Sequence, residues 1–127
     1  MSEVPEGLRY TKDHEWAKVE GDMVTVGITD HAQDELTEFV YIQLPKEGAQ
    51  IRKGDVLAVV ESVKNTADVY APVSGTVVEV NASLEGDPAI INRSPYADGW
   101  IARIRPADPS ELGALMDAKG YRRHIGE

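Results

Sequence analysis

Val56-Leu-Ala-Val-Val-Glu-Ser-Val-Lys-Asn-Thr-Ala-Asp-Val-Tyr-Ala-Pro-Val-Ser-Gly75 sets two apolar, β-branched runs on either side of a short polar turn, and that turn carries one lysine, Lys64. Val56–Glu61 and Ala67–Tyr70 have the length and composition of strands. A lone amine at a hairpin tip is a handle to which something can be attached. The other five lysines, Lys12, Lys18, Lys46, Lys53 and Lys119, sit among charges or turn residues, as solvated lysines do. On spacing alone, Lys64 is equally well a polar residue that suits a turn.

Further strands are predicted on both sides of this segment. Trp16–Glu20 and Met23–Ile28 flank Gly21-Asp22, a pair that fits a primed hairpin turn. Phe39–Leu44, Gly75–Val80 and Trp100–Arg105 are likewise short and rich in β-branched or aromatic residues. Regular turn signals between such runs favour a small antiparallel sandwich or barrel over a parallel sheet with crossover helices. Glu47–Glu61 and Pro72–Val80 each pair a glycine turn with a valine-rich strand, a hint of duplication that puts Lys64 at the junction of two halves.

Two helices interrupt the pattern. One opens at Thr29-Asp30 and runs through His31–Leu36, where a side chain of the opening pair can cap free backbone amides. A C-terminal helix is predicted over about 109–119, with Asp108 as cap, Pro109 at its first position and Gly120 just past its end, which leaves 120–127 as a tail. Leu112, Leu115 and Met116 then share one face as core contacts. The whole chain, 1–127, reads as one domain.

Composition narrows the function. A formal net charge of −9, from 22 acidic and 13 basic residues, opposes binding to nucleic acid or an anionic membrane. No apolar run reaches the length of a membrane span, and the acidic N-terminus resembles neither a secretory signal nor a transit peptide. A cytoplasmic location is expected, or a mitochondrial matrix if a transit peptide has been removed. There is no cysteine, and no nucleophile or phosphate-cradling motif, so reactive atoms are expected to come from outside the chain. His14 and His31 lie 17 positions apart, which matches no helix-borne ligand pair, and His124 falls in the predicted tail. Structural hydrogen bonding is therefore expected of all three, with no metal site. Ser94-Pro95-Tyr96 and Trp100 read as turn and core residues, and Asp98-Gly99 as the turn into the last strand.

Glu61-Ser-Val-Lys64, followed by Asp68 and Pro72-Val-Ser-Gly75, resembles the lipoylation segment of the glycine cleavage system H proteins. His14-Glu15-Trp16, Gly27–Gln33, Leu44-Pro45, Lys53-Gly54, Ile91-Asn92 and Ser94–Trp100 match motifs of that family in the same order, so the resemblance extends over nearly the whole chain. It implies a mainly β fold, a lipoyl-type barrel-sandwich hybrid of antiparallel strands with short flanking helices and a C-terminal helix. It also implies lipoate joined by an amide to Lys64, which would supply the sulfur chemistry that a chain without cysteine lacks.

By the same resemblance the chain is a carrier and not an enzyme, a swinging arm of glycine catabolism and one-carbon metabolism. Its implied partners are a pyridoxal-phosphate glycine decarboxylase, a folate-dependent aminomethyltransferase, dihydrolipoyl dehydrogenase and the enzymes that attach lipoate. A monomer suits such a shuttle. Glu15 and Asp68 match family positions at which the loaded arm parks, while Asp13 stands where related proteins often have a neutral residue. A lipoyl domain of a 2-oxoacid dehydrogenase acyltransferase is the rival reading. In those domains Asp typically precedes the lysine, whereas Val63 does here. Flanking methionines would be typical of a biotin carrier, and Val63 and Asn65 do not fit.

Overall fold

A computed structural model describes residues 2–127. In chain order the strands are β1 (Arg9–Tyr10), β2 (Glu15–Glu20), β3 (Met23–Ile28), β4 (Phe39–Gln43), β5 (Gln50–Ile51), β6 (Val56–Ser62), β7 (Thr66–Tyr70), β8 (Gly75–Val80) and β9 (Ala102–Pro106). The α-helices are α1 (Asp30–Leu36), α2 (Ser83–Gly86), α3 (Ile90–Arg93) and α4 (Ala118–His124), and a 3-10 helix covers Pro109–Ala114. None of these helices is long and apolar enough to cross a membrane.

Two antiparallel sheets result, one in the order β1-β2-β3-β9-β8-β5 and the other in the order β4-β6-β7. Val24, Val26 and Ile104 from the first sheet and Ile42, Leu57, Val60 and Val69 from the second belong to one buried cluster, so the sheets enclose a shared core. Each such side chain contributes roughly 1.5–3 kcal/mol by leaving water. This mainly β, antiparallel architecture agrees with the barrel-sandwich hybrid expected. The two halves around Lys64 divide between sheets, β6 joining one and β8 the other.

The β2–β3 hairpin closes at Gly21-Asp22 as read, with Gly21 at φ 65°. Along β3 the alternation is lost because both faces are covered. Val24, Val26 and Ile28 join the shared core, and a Cβ at Gly27 would stand 2.7 Å from the Trp16 ring. Gly75 is equally constrained, since a Cβ there would lie 2.1 Å from the Arg105 carbonyl oxygen on β9.

The C-terminal region departs from expectation. The predicted helix over 109–119 starts where it should, with Asp108 accepting from Ser110 N and Pro109 in the first turn, but it is a 3-10 helix that ends at Ala114. Leu115 turns extended, and Met116 exchanges two backbone hydrogen bonds with Tyr10, at 2.8 and 2.9 Å. These bonds to β1 outcompete the helix, which Gly113 already weakens. Asp117 then caps a new helix, α4, by accepting from Gly120 N at 2.8 Å. The predicted tail is thus largely helical. Its Tyr121 is fully buried in a second cluster with Val4, Tyr10, Trp16 and Ala118.

Candidate functional site

Ser62 shapes the turn that presents Lys64. Its Oγ accepts from Lys64 N at 3.2 Å and Asn65 N at 2.9 Å, and donates to the Asn65 carbonyl at 3.0 Å. Asn65 Oδ1 accepts from Thr66 N, and Val63 N donates to the Glu38 carbonyl, which ties the tip to the segment before β4. Lys64 is exposed and, among the described residues, makes no salt bridge. The amine is held on a defined turn yet left accessible.

Beside it lies a cleft of about 370 Å³ whose lining includes Asp13, His14, Glu15, Glu35, Lys64 and Asp68. All four residues singled out in the sequence, Lys64, Glu15, Asp68 and Asp13, therefore meet at one place. A second cavity of about 380 Å³, lined by Tyr10, Lys53, Tyr70 and Met116 among others, shares only Asp13 and Glu15 with the first.

Glu15 differs most from an ordinary surface acid. It is buried at the start of β2, with Oε1 accepting from Thr11 Oγ1 at 2.5 Å and Oε2 from Tyr70 N at 3.2 Å. Burial pushes its carboxyl up to about 7, against the lowering effect of these hydrogen bonds. Thr11 Oγ1 also accepts from the backbone amides of Asp13 and Glu15, so this one hydroxyl organises the loop. Asp13 and Asp68 are exposed, Asp68 on β7 opposite Val59.

The structure adds three residues to this region that the sequence reading set aside. His14, the residue before β2, adopts φ 75°, a left-handed conformation that costs on the order of 1 kcal/mol or more outside glycine. Its Nδ1 lies 2.8 Å from the Tyr121 hydroxyl, which is also 2.7 Å from Thr29 Oγ1. Burial lowers the His14 pKa, helped by the neighbouring His31 and His124. His31 on α1 stands with its ring centroid 4.9 Å from that of His14, and its Nε2 is 2.9 Å from Glu35 Oε1. The two histidines, 17 positions apart and not borne on one helix, are thus neighbours in the fold. Antiparallel pairing of β2 with β3 brings the residues before Glu15 against those after Ile28, as Thr29 N donating to the His14 carbonyl at 3.0 Å shows. His31-x-x-x-Glu35, a one-turn helical spacing, was the available signal. His124 is on α4, its Nε2 2.8 Å from the Lys12 carbonyl oxygen.

Comparison with known proteins identifies the family. The family model for the glycine cleavage H-protein matches residues 8–127. The chain is 52% identical over 120 residues to the glycine cleavage system H protein of Thermus thermophilus, covering 94% of each chain. It is 51% identical over 127 residues to the mitochondrial glycine cleavage system H protein of Pisum sativum, covering all of this chain and 77% of the other. The crystal structure of a glycine cleavage system H protein from Mycobacterium marinum superposes with a TM-score of 0.90 at 38% identity, covering 98% of this chain and all of that one. With its antiparallel double sheet and its lysine-tipped turn, the chain belongs to the glycine cleavage H-protein family.

Proposed function

We propose that Lys64 carries lipoate through an amide on Nζ, and that the loaded arm shelters in the cleft bounded by Asp13, Glu15 and Asp68. Family membership makes the chain a lipoyl carrier of the glycine cleavage system. The observation that carries the assignment to Lys64 is its exposed amine on a hydrogen-bonded turn, free of any salt bridge among the described residues. When bound, lipoate supplies a dithiolane able to accept an aminomethyl group and later to be reoxidised.

The residues of this chain position and protect the arm. Ser62 and Asn65 keep the tip in one conformation, which lets an attaching enzyme distinguish Lys64 from five other lysines by shape. A loaded arm carries an aliphatic amine that is cationic at neutral pH. Beside Glu15, such a cation favours the ionised carboxylate and offsets the burial that raises its pKa. Asp13 and Asp68, being exposed, add attraction of only about 0–1 kcal/mol each. The partners this reading implies are the other components of the system: the pyridoxal-phosphate decarboxylase, the folate-dependent aminomethyltransferase and dihydrolipoyl dehydrogenase, together with lipoate-attaching enzymes. The chain itself is then a co-substrate and not a catalyst.

Intact-mass analysis after expression with lipoate tests the assignment. One lipoyl group is expected on the wild-type chain, mapping to the peptide that contains Lys64, and none on Lys64→Arg. Lipoylation of the Arg variant, or a modified peptide elsewhere, would overturn it.

A further inference from the structure

We propose that His14, His31 and Glu35 form a binding site for a divalent transition-metal ion of the zinc class at the edge of the Lys64 cleft, which His14 and Glu35 line. The three side chains each offer a ligand atom, and these atoms all lie within 4.8 Å of one another. They come from two separate elements, His14 from the loop before β2 and the other two from successive turns of α1. A single ion bridging them would cross-link loop and helix.

The donor set decides the class of ion. Two imidazoles and one carboxylate suit zinc, cobalt or nickel, whereas magnesium and calcium prefer oxygen ligands. Around a tetrahedral zinc the ligand atoms stand about 3.4 Å apart, given bonds of about 2.0–2.2 Å. The site must therefore close slightly. His31 Nε2 and Glu35 Oε1 already lie 2.9 Å apart, so the closure is toward His14, and Glu35, whose side chain is 63% exposed and among the described residues is paired only with His31, is free to adjust.

His14 carries the features of a positioned ligand. Its left-handed backbone is uncommon for a non-glycine residue, and its ring is fixed through Nδ1 by the buried Tyr121 hydroxyl. Tyr121 in turn meets Thr29 Oγ1. In the arrangement His14 Nδ1–H to Tyr121 Oη–H to Thr29 Oγ1, the Nε2 lone pair is free for a metal. That is how outer hydrogen bonds commonly set the tautomer of a ligating histidine. With three protein ligands among the described residues, a coordination position remains for a small donor from the cleft, such as water or a thiolate. His124 is excluded from the set, its Nε2 being engaged with the Lys12 carbonyl.

Titration calorimetry of the tag-free, unlipoylated chain with zinc chloride, and separately with magnesium chloride, tests the site. One equivalent of zinc is expected to bind, and no magnesium at the same concentrations. Affinity should fall at least tenfold in His31→Gln and in Glu35→Gln, both on the helix surface, and be retained in His124→Gln and Lys64→Arg. His14→Asn, which keeps a residue tolerant of the left-handed backbone, should also lose binding. Circular dichroism of each variant checks that the fold is intact. With cobalt in place of zinc, visible absorption of tetrahedral intensity is expected in the wild type and not in Glu35→Gln. Absence of zinc binding to the wild type overturns the proposal, as does equal binding by the folded His31→Gln and Glu35→Gln variants or loss of binding in folded His124→Gln.

Discussion

The Tyr121 hydroxyl lies 2.8 Å from His14 Nδ1, so a residue near the C-terminus sets the orientation of a side chain on the cleft wall. The same hydroxyl meets Thr29 Oγ1, the cap of α1, and the Tyr121 ring stacks on Tyr10 at 4.8 Å. Three segments remote in sequence are joined through one phenol. Tyr121→Phe keeps the stacking and removes only the hydroxyl, leaving the half-buried His14 Nδ1 without that partner and Thr29 Oγ1 with its bond from Ala32 N alone. A loss of about 1–3 kcal/mol in urea unfolding is expected. An unchanged transition would show that water replaces the hydroxyl without cost.

Glu15 should make stability fall as pH rises. Its folded pKa of about 7 exceeds the ordinary 4.5, so between those values the folded chain keeps a proton that the unfolded chain has released. The stabilisation is complete below about 4.5 and is lost as pH rises through about 7. The shift corresponds to on the order of 3 kcal/mol. Metal-free urea unfolding of wild type and Glu15→Gln at pH 5 and pH 8 isolates the effect. The difference between the two proteins should move by that order, with wild type relatively weaker at pH 8. A pH-independent difference would refute the raised pKa.

Local periodicity made much of this fold readable. The strands around Lys64, the Gly21-Asp22 hairpin and the Thr29 cap of α1 are decided by residues close in sequence, and the structure has all of them. Strands β1 and β5 are two residues each and exist only because β2 and β8 offer them a partner. Nothing within Arg9-Tyr10 or Gln50-Ile51 announces that pairing. The break after Ala114 has the same cause, since Met116 leaves the helix to pair with Tyr10. The meeting of His14 with His31 was, by contrast, implicit in the hairpin. Once Glu20 pairs with Met23, the register places Glu15 against Ile28 and the next residues, His14 and Thr29, beside one another.

Gly75→Ala tests how strictly the sheet constrains β8. A methyl group would meet the Arg105 carbonyl oxygen at 2.1 Å and Ile104 Cγ2 at 2.8 Å, and a backbone atom of a paired strand cannot rotate away. Destabilisation of about 3 kcal/mol or more is expected, at the upper end for overpacking. Gly86→Ala, where a Cβ has open space around it, is the matched control and should change stability little. Similar melting temperatures for the two variants would contradict the close approach of β8 and β9.

Shelter of the loaded arm should depend on charge only weakly at the exposed positions and more strongly at Glu15. Asp13 and Asp68 flank the cleft in contact with water, where screening limits each to about 1 kcal/mol, or roughly a fivefold change in an equilibrium. Asp13→Asn and Asp68→Asn in the aminomethyl-loaded, lipoylated chain should therefore speed release of ammonia by no more than about fivefold, and added salt should diminish the effect. Glu15→Gln removes a buried carboxylate charge that salt reaches poorly, so its effect should exceed either and persist at high ionic strength. The ordering is the informative quantity. If Asp68→Asn destabilised the loaded arm more than Glu15→Gln at high salt, the amine would have to sit outside the cleft, against solvent, and the buried carboxylate would have no part in holding it.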